Sequence, residues 1–340
     1  KMKSIPIIDF RFEQNCIEEM YVAYTTCGFA VFTHVYDNWL SEFQDWKLLM
    51  EEFFQLGKNI KRKYAYSGVK ENIGYNWLEE ERLTPTLPGD LKESYNWVSP
   101  DRMIDSYWPV EIPEFKPLAQ KIERISRMLS YQFLYRFEKV LRIPVGSLVE
   151  QHIDGSATMR MIHYPPYDGE IKEDQLRGNE HTDYGSITLL WRFDDVEALQ
   201  LYDKNDDVWV TVPTVENSIV LNVADMFQRW TNDLLKSTPH RVVNIDMDKS
   251  RYSMPYFVDP GRDVMIKNLT TEPDKYPPIS AYEYLKWRLA QSYVDDDYVE
   301  NDYESNSLSV FDVIDRKTGD CTEHTELFVN LARAAGFPTR

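Results

Sequence analysis

The feature that most constrains the fold is a run of short strand-like segments in the second half of the sequence. Each segment is rich in apolar and aromatic residues, and turn-forming clusters such as 203–207 separate neighbouring segments. The predicted strands are 157–164, 186–191, 199–202, 208–212, 218–223, 241–245 and 252–258. Because only a brief helix at 226–235 interrupts them, the pattern predicts a mainly β fold of two sheets, a jelly roll.

Longer helices are predicted on either side of this core. Apolar residues recur at steps of three and four, which is typical of helices with one buried face. The predicted helices are 16–26, 39–56, 116–141 and 280–293, and short strands are predicted at 5–10 and 29–32. We expect the longest helix, 116–141, to brace the sheet.

These elements predict how the chain is divided. We expect one domain over residues 1–298, with a helical N-terminal part (1–150) and a jelly-roll core (151–298). An acidic linker and a tail follow at 299–340. The stretch 64–113 shows no regular period, but its many Trp and Tyr residues argue against disorder. We expect a lid or pocket wall there, with ordinary packing as the alternative.

Composition narrows the class of partner. The 340 residues carry 56 acidic and 38 basic side chains, a formal net charge of −18, which argues against binding to nucleic acid or to an anionic membrane surface. We find neither an apolar run long enough to span a bilayer nor an N-terminal signal segment, and we expect a cytoplasmic protein. Of the three cysteines, Cys16 and Cys27 are expected to be buried and free. Oligomeric state is left open.

His181 and Asp183 stand two residues apart, and on an extended strand their side chains would share a face. His240 is a third candidate ligand further along the chain. Two imidazoles and one carboxylate form the metal site of non-haem Fe(II) oxygenases, although Zn(II) accepts the same ligands. Alternatively, His240 is a core histidine and Asp183 a turn residue. Three further histidines are assigned to packing or to the surface, namely His34, His152 and His163.

A second pair of residues predicts a carboxylate-binding site. Arg251 and Ser253 also stand two apart and would share one face of a strand. A guanidinium and a hydroxyl on one face can bind a carboxylate together. The alternative is that Arg251 is a structural ion-pair partner in this acidic chain.

Several short stretches of the sequence resemble those of a known family and occur in the same order along the chain. From about residue 5 to 293 the chain resembles the isopenicillin N synthase-like group of Fe(II)/2-oxoglutarate oxygenases. The matching stretches are Ile5-Pro6-Ile7-Ile8-Asp9-Phe10, Cys27-Gly28-Phe29-Ala30-Val31, Asp90-Leu91-Lys92-Glu93-Ser94-Tyr95, His181-Thr182-Asp183-Tyr184-Gly185-Ser186, residues 225–233, Ser237-Thr238-Pro239-His240-Arg241-Val242 and residues 251–257.

The resemblance implies a double-stranded β-helix, a cupin-like jelly roll, and a non-haem Fe(II) dioxygenase. It implies that His181, Asp183 and His240 are the catalytic metal ligands, and that Arg251 and Ser253 bind the distal carboxylate of 2-oxoglutarate. Tyr164 matches a tyrosine that also contacts this cosubstrate.

The reaction implied is oxidative decarboxylation of 2-oxoglutarate by O2, coupled to hydroxylation or desaturation of a small-molecule substrate. Where plant members have Asn two residues before the tyrosine, this chain has Ile162, which puts the cosubstrate geometry in question.

Two other functions remain open at this stage. One is an iron-dependent oxidase of the same fold that does not use 2-oxoglutarate, because isopenicillin N synthase itself and the ethylene-forming aminocyclopropane-carboxylate oxidase keep the Arg-x-Ser pattern without this cosubstrate. A non-catalytic binding module is the alternative from another class. The substrate is not identified by the sequence, but Tyr75, Tyr95 and Phe257 are predicted to line its pocket from their family positions.

The end of the chain resembles a different family. Residues 308–340 are similar to the cysteine-bearing segment of transglutaminase-like proteins, in which Cys321 would be the nucleophile. The partner His and Asp of that family would lie beyond Arg340, so we expect a truncated segment without acyl-transfer activity.

Overall fold

The computed structural model describes residues 4–68, 71–82 and 87–292. Its helices are α1 (Glu13–Thr26), α2 (Leu40–Gln55), α3 (Lys58–Lys61), α4 (Phe115–Leu141), α5 (Val149–His152), α6 (Asp225–Trp230) and α7 (Ala281–Ser292). Its strands are β1 (Ile7–Asp9), β2 (Phe29–Thr33), β3 (Gly74–Asn76), β4 (Glu93–Val98), β5 (Gly155–Tyr164), β6 (Gly178–His181), β7 (Ile187–Arg192), β8 (Leu199–Asp203), β9 (Val208–Thr211), β10 (Ser218–Val223), β11 (His240–Val242), β12 (Arg251–Gly261), β13 (Met265–Ile266) and β14 (Ile279–Ser280). The tail with Cys321 lies outside the described residues.

Two sheets form the core. The larger sheet has the order β1-β2-β10-β7-β12-β5-β4-β3, and the smaller has the order β6-β11-β8-β9. Apolar side chains from both sheets meet in one cluster, with Phe29 and Val220 on the larger sheet and Leu199 and Leu201 on the smaller. The predicted mainly β jelly roll with flanking helices is therefore confirmed.

The alternation along β12 decides which of its residues face the space between the sheets. Tyr252, Met254 and Tyr256 belong to the large apolar core on the helical side. Arg251 and Ser253, with the other odd-numbered residues, line a cavity on the opposite side. Because successive side chains of a strand point to opposite faces, one central strand serves both the core and the cavity.

The stretch 64–113 differs from its prediction. It contains β3 and β4, and β4 pairs with β5 from Glu93↔His163 to Val98↔Thr158. The pattern was missed because the buried strand carries polar residues, including Glu93 and Asn96. Other residues of the stretch, such as Ser67 and Asn72, do line the cavity, as a pocket wall would.

The long helix α4 packs on the outside of the larger sheet as predicted. Its Phe133 ring lies 4.7 Å from the ring of Phe10 and 4.9 Å from that of Phe32, and its Phe137 ring lies 4.9 Å from that of Tyr24. These contacts join α4 to β2 and α1, so the helix braces one edge of the sheet. No helix in the described ranges is long and apolar enough to cross a membrane.

Glu138, near the end of α4, fixes the turn that leads to the core. Its fully buried carboxylate accepts hydrogen bonds from the backbone N–H groups of Gly146 (2.8 Å), Leu148 (2.8 Å) and Val149 (3.0 Å). An acceptor that pairs with three N–H groups satisfies donors that the short helix α5 would otherwise leave unpaired.

We expect Glu138→Ala to lower the free energy of unfolding by roughly 2–4 kcal/mol, because it leaves buried N–H groups without a partner. Urea denaturation followed by circular dichroism measures this loss. Glu150→Ala, which removes an exposed carboxylate from the same segment, is the control and should change stability little. Equal stability of the two variants would contradict the role assigned to Glu138.

Candidate active site

His240 converges with His181 and Asp183, although it lies far from them in the sequence. The smaller sheet places His240 of β11 directly opposite His181 of β6. Asp183 follows just after the end of β6, so the prediction that it lies on the same strand as His181 was wrong. One ligand atom from each of the three residues lies within 4.8 Å of the other two, the one such His, Cys, Asp and Glu group in the described part of the chain.

Hydrogen bonds orient the two imidazoles in the same way. Nδ1 of His181 lies 2.8 Å from the carbonyl oxygen of Asn179, and Nδ1 of His240 lies 3.0 Å from that of Thr238. A carbonyl oxygen only accepts, so each Nδ1 carries the proton and each Nε2 has a free lone pair. The two Nε2 atoms lie 3.8 and 3.7 Å from Asp183 Oδ1.

The carboxylate of Asp183 is oriented through its other oxygen. Oδ2 accepts hydrogen bonds of 2.7 Å from the hydroxyl of Thr188 on β7 and 2.7 Å from the amide of Asn222 on β10. Oδ1 is thereby directed toward the two histidines. The arrangement gives three ligand atoms with their second hydrogen-bonding groups already satisfied, as in protein metal sites.

The charges at this cluster suit a divalent cation. Burial, followed by the neighbouring His240, lowers the pKa of His181, so its imidazole is neutral. Burial alone would raise the pKa of Asp183, but the two histidines and the bonds from Asn222 and Thr188 lower it overall. A neutral imidazole and an ionised carboxylate are the protonation states that metal binding requires.

Arg251 and Ser253 face the same cavity from β12. The Arg251 Nε atom lies 3.2 Å from Asp194 Oδ1, while Asp194 Oδ2 accepts the backbone N–H of Tyr252. Arg251 is 2 % exposed, and its Nη1 has no hydrogen-bond partner among the described residues. Its guanidinium also lies 5.0 Å from the centre of the Tyr164 ring, which lines the cavity.

A second guanidinium lies next to this pair. Arg192 of β7 is paired in register with Ser253 and donates hydrogen bonds to the carbonyls of Val212 (3.2 Å) and Pro213 (2.7 Å). Burial, and then the positive charge of Arg251, lower the pKa of Arg192 to about 10. Two cations at one end of the cavity favour an anionic ligand there.

Asp225, at the start of α6, connects the segments that carry the candidate ligands. Its carboxylate accepts hydrogen bonds from Thr182 (2.9 Å), which stands between His181 and Asp183, and from Ser237 (2.6 Å), just before His240. Arg288 of α7 forms an ion pair of 2.6 Å with the same carboxylate. The C-terminal helix of the described region is therefore joined to the site.

The cavity has a volume of about 550 Å³, within the usual range for small-molecule sites. Phe257 lines it, as predicted. Tyr75 and Tyr95 do not, and their predicted place in the wall was wrong. Tyr95 packs in the core, with its ring 5.1 Å from that of Phe53, and the Tyr75 hydroxyl binds Glu93 on the same side.

Part of the cavity wall is a network of paired charges. Arg160 of β5 lies 2.8 Å from Glu81 and donates a 2.8 Å hydrogen bond to Asn96. Lys92 pairs with Glu81 (3.1 Å) and with Asp90 (2.7 Å). Burial alone would raise the pKa of Glu81, but the charges of Arg160 and Lys92 hold it at about 2.

The other described histidines and cysteines are placed as predicted. His34 is exposed, while His152 and His163 are buried and hydrogen-bonded away from the candidate ligands. Cys16 and Cys27 are buried and free.

Comparison with known proteins identifies the family. The model of the 2OG-Fe(II) oxygenase superfamily matches residues 155–260. A 2-oxoglutarate-Fe(II) type oxidoreductase, hxnY of Emericella nidulans, is 36% identical over 273 residues, which cover 72% of this chain and 74% of that protein. The chain belongs to the 2OG-Fe(II) oxygenase superfamily.

Two further relatives extend the likeness over most of the chain. Proline hydroxylase buaE of Petromyces alliaceus is 28% identical over 305 residues, 83% of this chain and 94% of its own length. The crystal structure of a full-length Neurospora crassa protein in complex with alpha-KG and thymine has a TM-score of 0.77 and 27% identity, and the match covers 85% of this chain and 97% of that one.

These likenesses bear out the expected enzyme class. The protein is a non-haem Fe(II) dioxygenase, an oxidoreductase that uses Fe(II), 2-oxoglutarate and O2. The descriptions of two of these proteins refer to small molecules, since one is named a proline hydroxylase and the other was crystallised with alpha-KG and thymine.

A second family model, that of the transglutaminase-like superfamily, matches residues 269–340. Most of that match lies outside the described residues. Its first part includes α7, which lies against β12 and contributes Tyr282 and Leu285 to the cavity wall.

Several residues of the site were not singled out from the sequence. Asp194 and Asn222 have no local motif, and only the contacts with Arg251 and Asp183 reveal them. Asp225 did carry a signal, because it opens one of the stretches that match the family.

We expect Thr188→Val to weaken divalent metal binding by about tenfold, because it removes a hydrogen bond that orients Asp183 while keeping the side-chain shape. Titration with Fe(II) under anaerobic conditions, or with Co(II), measures the change. Thr211→Val, at an exposed position of β9, is the matched control. Unchanged affinity in Thr188→Val would contradict the orienting role.

Proposed function

We propose that His181, Asp183 and His240 bind the Fe(II) ion, and that Arg251 and Ser253 bind the distal carboxylate of 2-oxoglutarate. The observation that supports the metal site is the set of three unengaged ligand atoms, since both Nδ1 atoms and Asp183 Oδ2 already have partners. Two imidazoles and one carboxylate leave further metal positions open for a cosubstrate.

Support for the cosubstrate site comes from an unsatisfied buried donor. Nη1 of Arg251 has no protein partner in the described part of the chain, and the Ser253 hydroxyl lines the same cavity. Leaving a buried charged donor unpaired is costly, and a carboxylate would satisfy both groups with charge-assisted hydrogen bonds. Tyr164 is proposed to contact the same ligand from β5.

The side chains have separate tasks in the reaction. Asp194 holds Arg251 at the cavity wall, with Nη1 lacking a partner among the described residues, and Thr188 and Asn222 hold Asp183. When bound, Fe(II) and 2-oxoglutarate supply the oxidising power, because O2 converts the cosubstrate to succinate and CO2 and provides the oxygen atom for the substrate. The apolar walls of the cavity exclude water from the reacting groups.

The proposed outcome is hydroxylation of a small molecule. A cavity of about 550 Å³ holds a cosubstrate and a small second ligand rather than a polymer. The descriptions of the relatives, a proline hydroxylase and a protein crystallised with thymine, agree with a small polar substrate. We propose a cytoplasmic enzyme with no nucleic-acid or membrane partner, as the acidic composition indicates.

We expect Arg251→Gln to raise the 2-oxoglutarate concentration needed for half-maximal turnover by at least thirtyfold, because a buried charge pair is lost, about 2–5 kcal/mol. Succinate release measures the change. Arg124→Gln, on the exposed face of α4, is the control. Turnover by Arg251→Gln at unchanged 2-oxoglutarate concentrations would contradict the assignment.

His181→Ala should abolish succinate release, because only two of the three ligand atoms remain. Anaerobic Fe(II) titration should show weakened binding in the same variant. Its matched control is His34→Ala, an exposed histidine. Full activity of His181→Ala would exclude the proposed metal centre.

We also propose that the oxygenase domain occupies residues 1–298, and that 299–340 is a separate acidic linker and transglutaminase-like segment with Cys321. Removal of 299–340 is then expected to leave 2-oxoglutarate turnover within about twofold, because the described site uses no residue beyond Arg288. A loss of turnover with an unchanged melting temperature would show that the segment belongs to the oxygenase.

A further inference from the structure

The order of residues along β12 divides the cavity into two ends. Thr188, which bonds Asp183, is paired in register with Phe257. Arg251 lies six residues before Phe257 on this strand, and Asp259 lies two residues after it. The metal ligands therefore lie between the proposed 2-oxoglutarate site and Asp259, which places Asp259 at the end left for the substrate.

The carboxylate of Asp259 is held close to the ligand segment. A Cβ atom added to Gly185 would collide with Asp259 Oδ1, so this carboxylate packs against the backbone two residues after Asp183. Asp259 is partly buried and lines the cavity together with Gly185. Yet no group in the described ranges forms a hydrogen bond or an ion pair with its side chain.

Two arginines line the same cavity as this carboxylate. Arg102 lines the same cavity and is close enough to Asp259 to lower its pKa, although the two groups are not within ion-pair distance. Arg262, which also lines the cavity, stacks 4.3 Å from the centre of the Tyr282 ring. Arg102 also lies near Asp101, but within the described part of the chain neither guanidinium forms a direct ion pair, and both residues are exposed.

Other charged side chains of the cavity wall differ from Asp259, Arg102 and Arg262, because they form direct ion pairs within the protein. Arg160 and Lys92 are both paired with Glu81, so they are already neutralised by the protein. A partly buried charge without a direct partner, such as that of Asp259, costs free energy unless a ligand pairs with it. Burial raises the pKa of Asp259 to about 7, and the nearby charge of Arg102 offsets this rise only in part.

From these positions we propose that Asp259 is a specificity-determining residue that binds the ammonium group of the substrate, while Arg102 and Arg262 bind its carboxylate. The substrate class is thus a small zwitterion, a free amino or imino acid. The inference rests on the proposed function, because it assigns the substrate end of the same cavity. A site with polar groups that pair only with the substrate discriminates strongly against molecules that lack the matching group, because those polar groups would stay unpaired.

The test uses the full chain and a panel of free amino and imino acids, including L-proline and L-pipecolate, with thymine and uracil as uncharged ring compounds. Binding is measured by calorimetric titration without oxygen, with and without Fe(II) and 2-oxoglutarate, and turnover by succinate release. We expect at least one amino or imino acid to bind and to stimulate turnover. Its N-acetyl and amide derivatives should each bind at least tenfold more weakly.

Asp259→Asn keeps the size of the side chain and removes its charge, and it should weaken binding of that amino or imino acid by at least tenfold. Asp263→Asn is the matched control, because it removes an exposed charge outside the cavity, in the turn that follows β12. Arg102→Gln should weaken binding of the free acid but not of its amide. This difference separates loss of carboxylate recognition from a general loss of structure.

The inference would be overturned if no amino or imino acid of the panel binds, if only thymine or uracil does, or if Asp259→Asn binds the zwitterion as well as the control does. Failure of the proposed function looks different. In that case the wild-type protein would release no succinate from 2-oxoglutarate with any compound, whatever the titrations show.

Discussion

The two hydrogen bonds to Asp183 Oδ2 are the interaction on which the site depends. Asp183 follows a strand of the smaller sheet, whereas Thr188 and Asn222 belong to the larger sheet. The carboxylate therefore joins the two sheets at the point where the ligands meet. Because both bonds are buried, the orientation of Oδ1 is set by the packing of the sheets and not by the loop alone.

The charged side chains along the cavity differ in whether they are paired within the protein. Charges needed to shape the wall are neutralised within the protein, as in the pairing of Arg160 and Lys92 with Glu81. Arg251, which we propose to bind the cosubstrate, instead keeps its Nη1 without a partner among the described residues. In a chain with 56 acidic side chains, most cations can find a partner within the protein. A buried cation with an unpaired atom is therefore a candidate for ligand binding.

Much of this arrangement could be predicted from the sequence, for physical reasons that differ between elements. The long helix α4 and the regular strands such as β10 follow from periodic apolar residues. His181 and Asp183 were singled out because two residue types with metal-binding chemistry stand two residues apart, and His240 because it is a further imidazole downstream.

Other features could not be found in this way. β4 carries Glu93 and Asn96 in a buried strand, which is favourable because Glu93 pairs with Lys61 and His163, and Asn96 with Arg160. Tyr75 and Tyr95 were assigned to the cavity because of their family positions, but the register of β3 and β4 turns them toward the core. The pairing state of Asp194 or Asp259 depends on distant residues, so no local pattern contains it.

The ion pair between Asp225 and Arg288 has a consequence for how such chains evolve. Helix α7, which follows the two sheets in the chain, thereby supports Thr182 through Asp225. Thr182 lies between the two candidate ligands His181 and Asp183. Exchange of the region after β14 between related enzymes is therefore not a neutral swap of a peripheral module. If the helix taken from another enzyme had no cation at the position of Arg288, the Asp225 carboxylate would keep only its hydrogen bonds from the hydroxyls of Thr182 and Ser237.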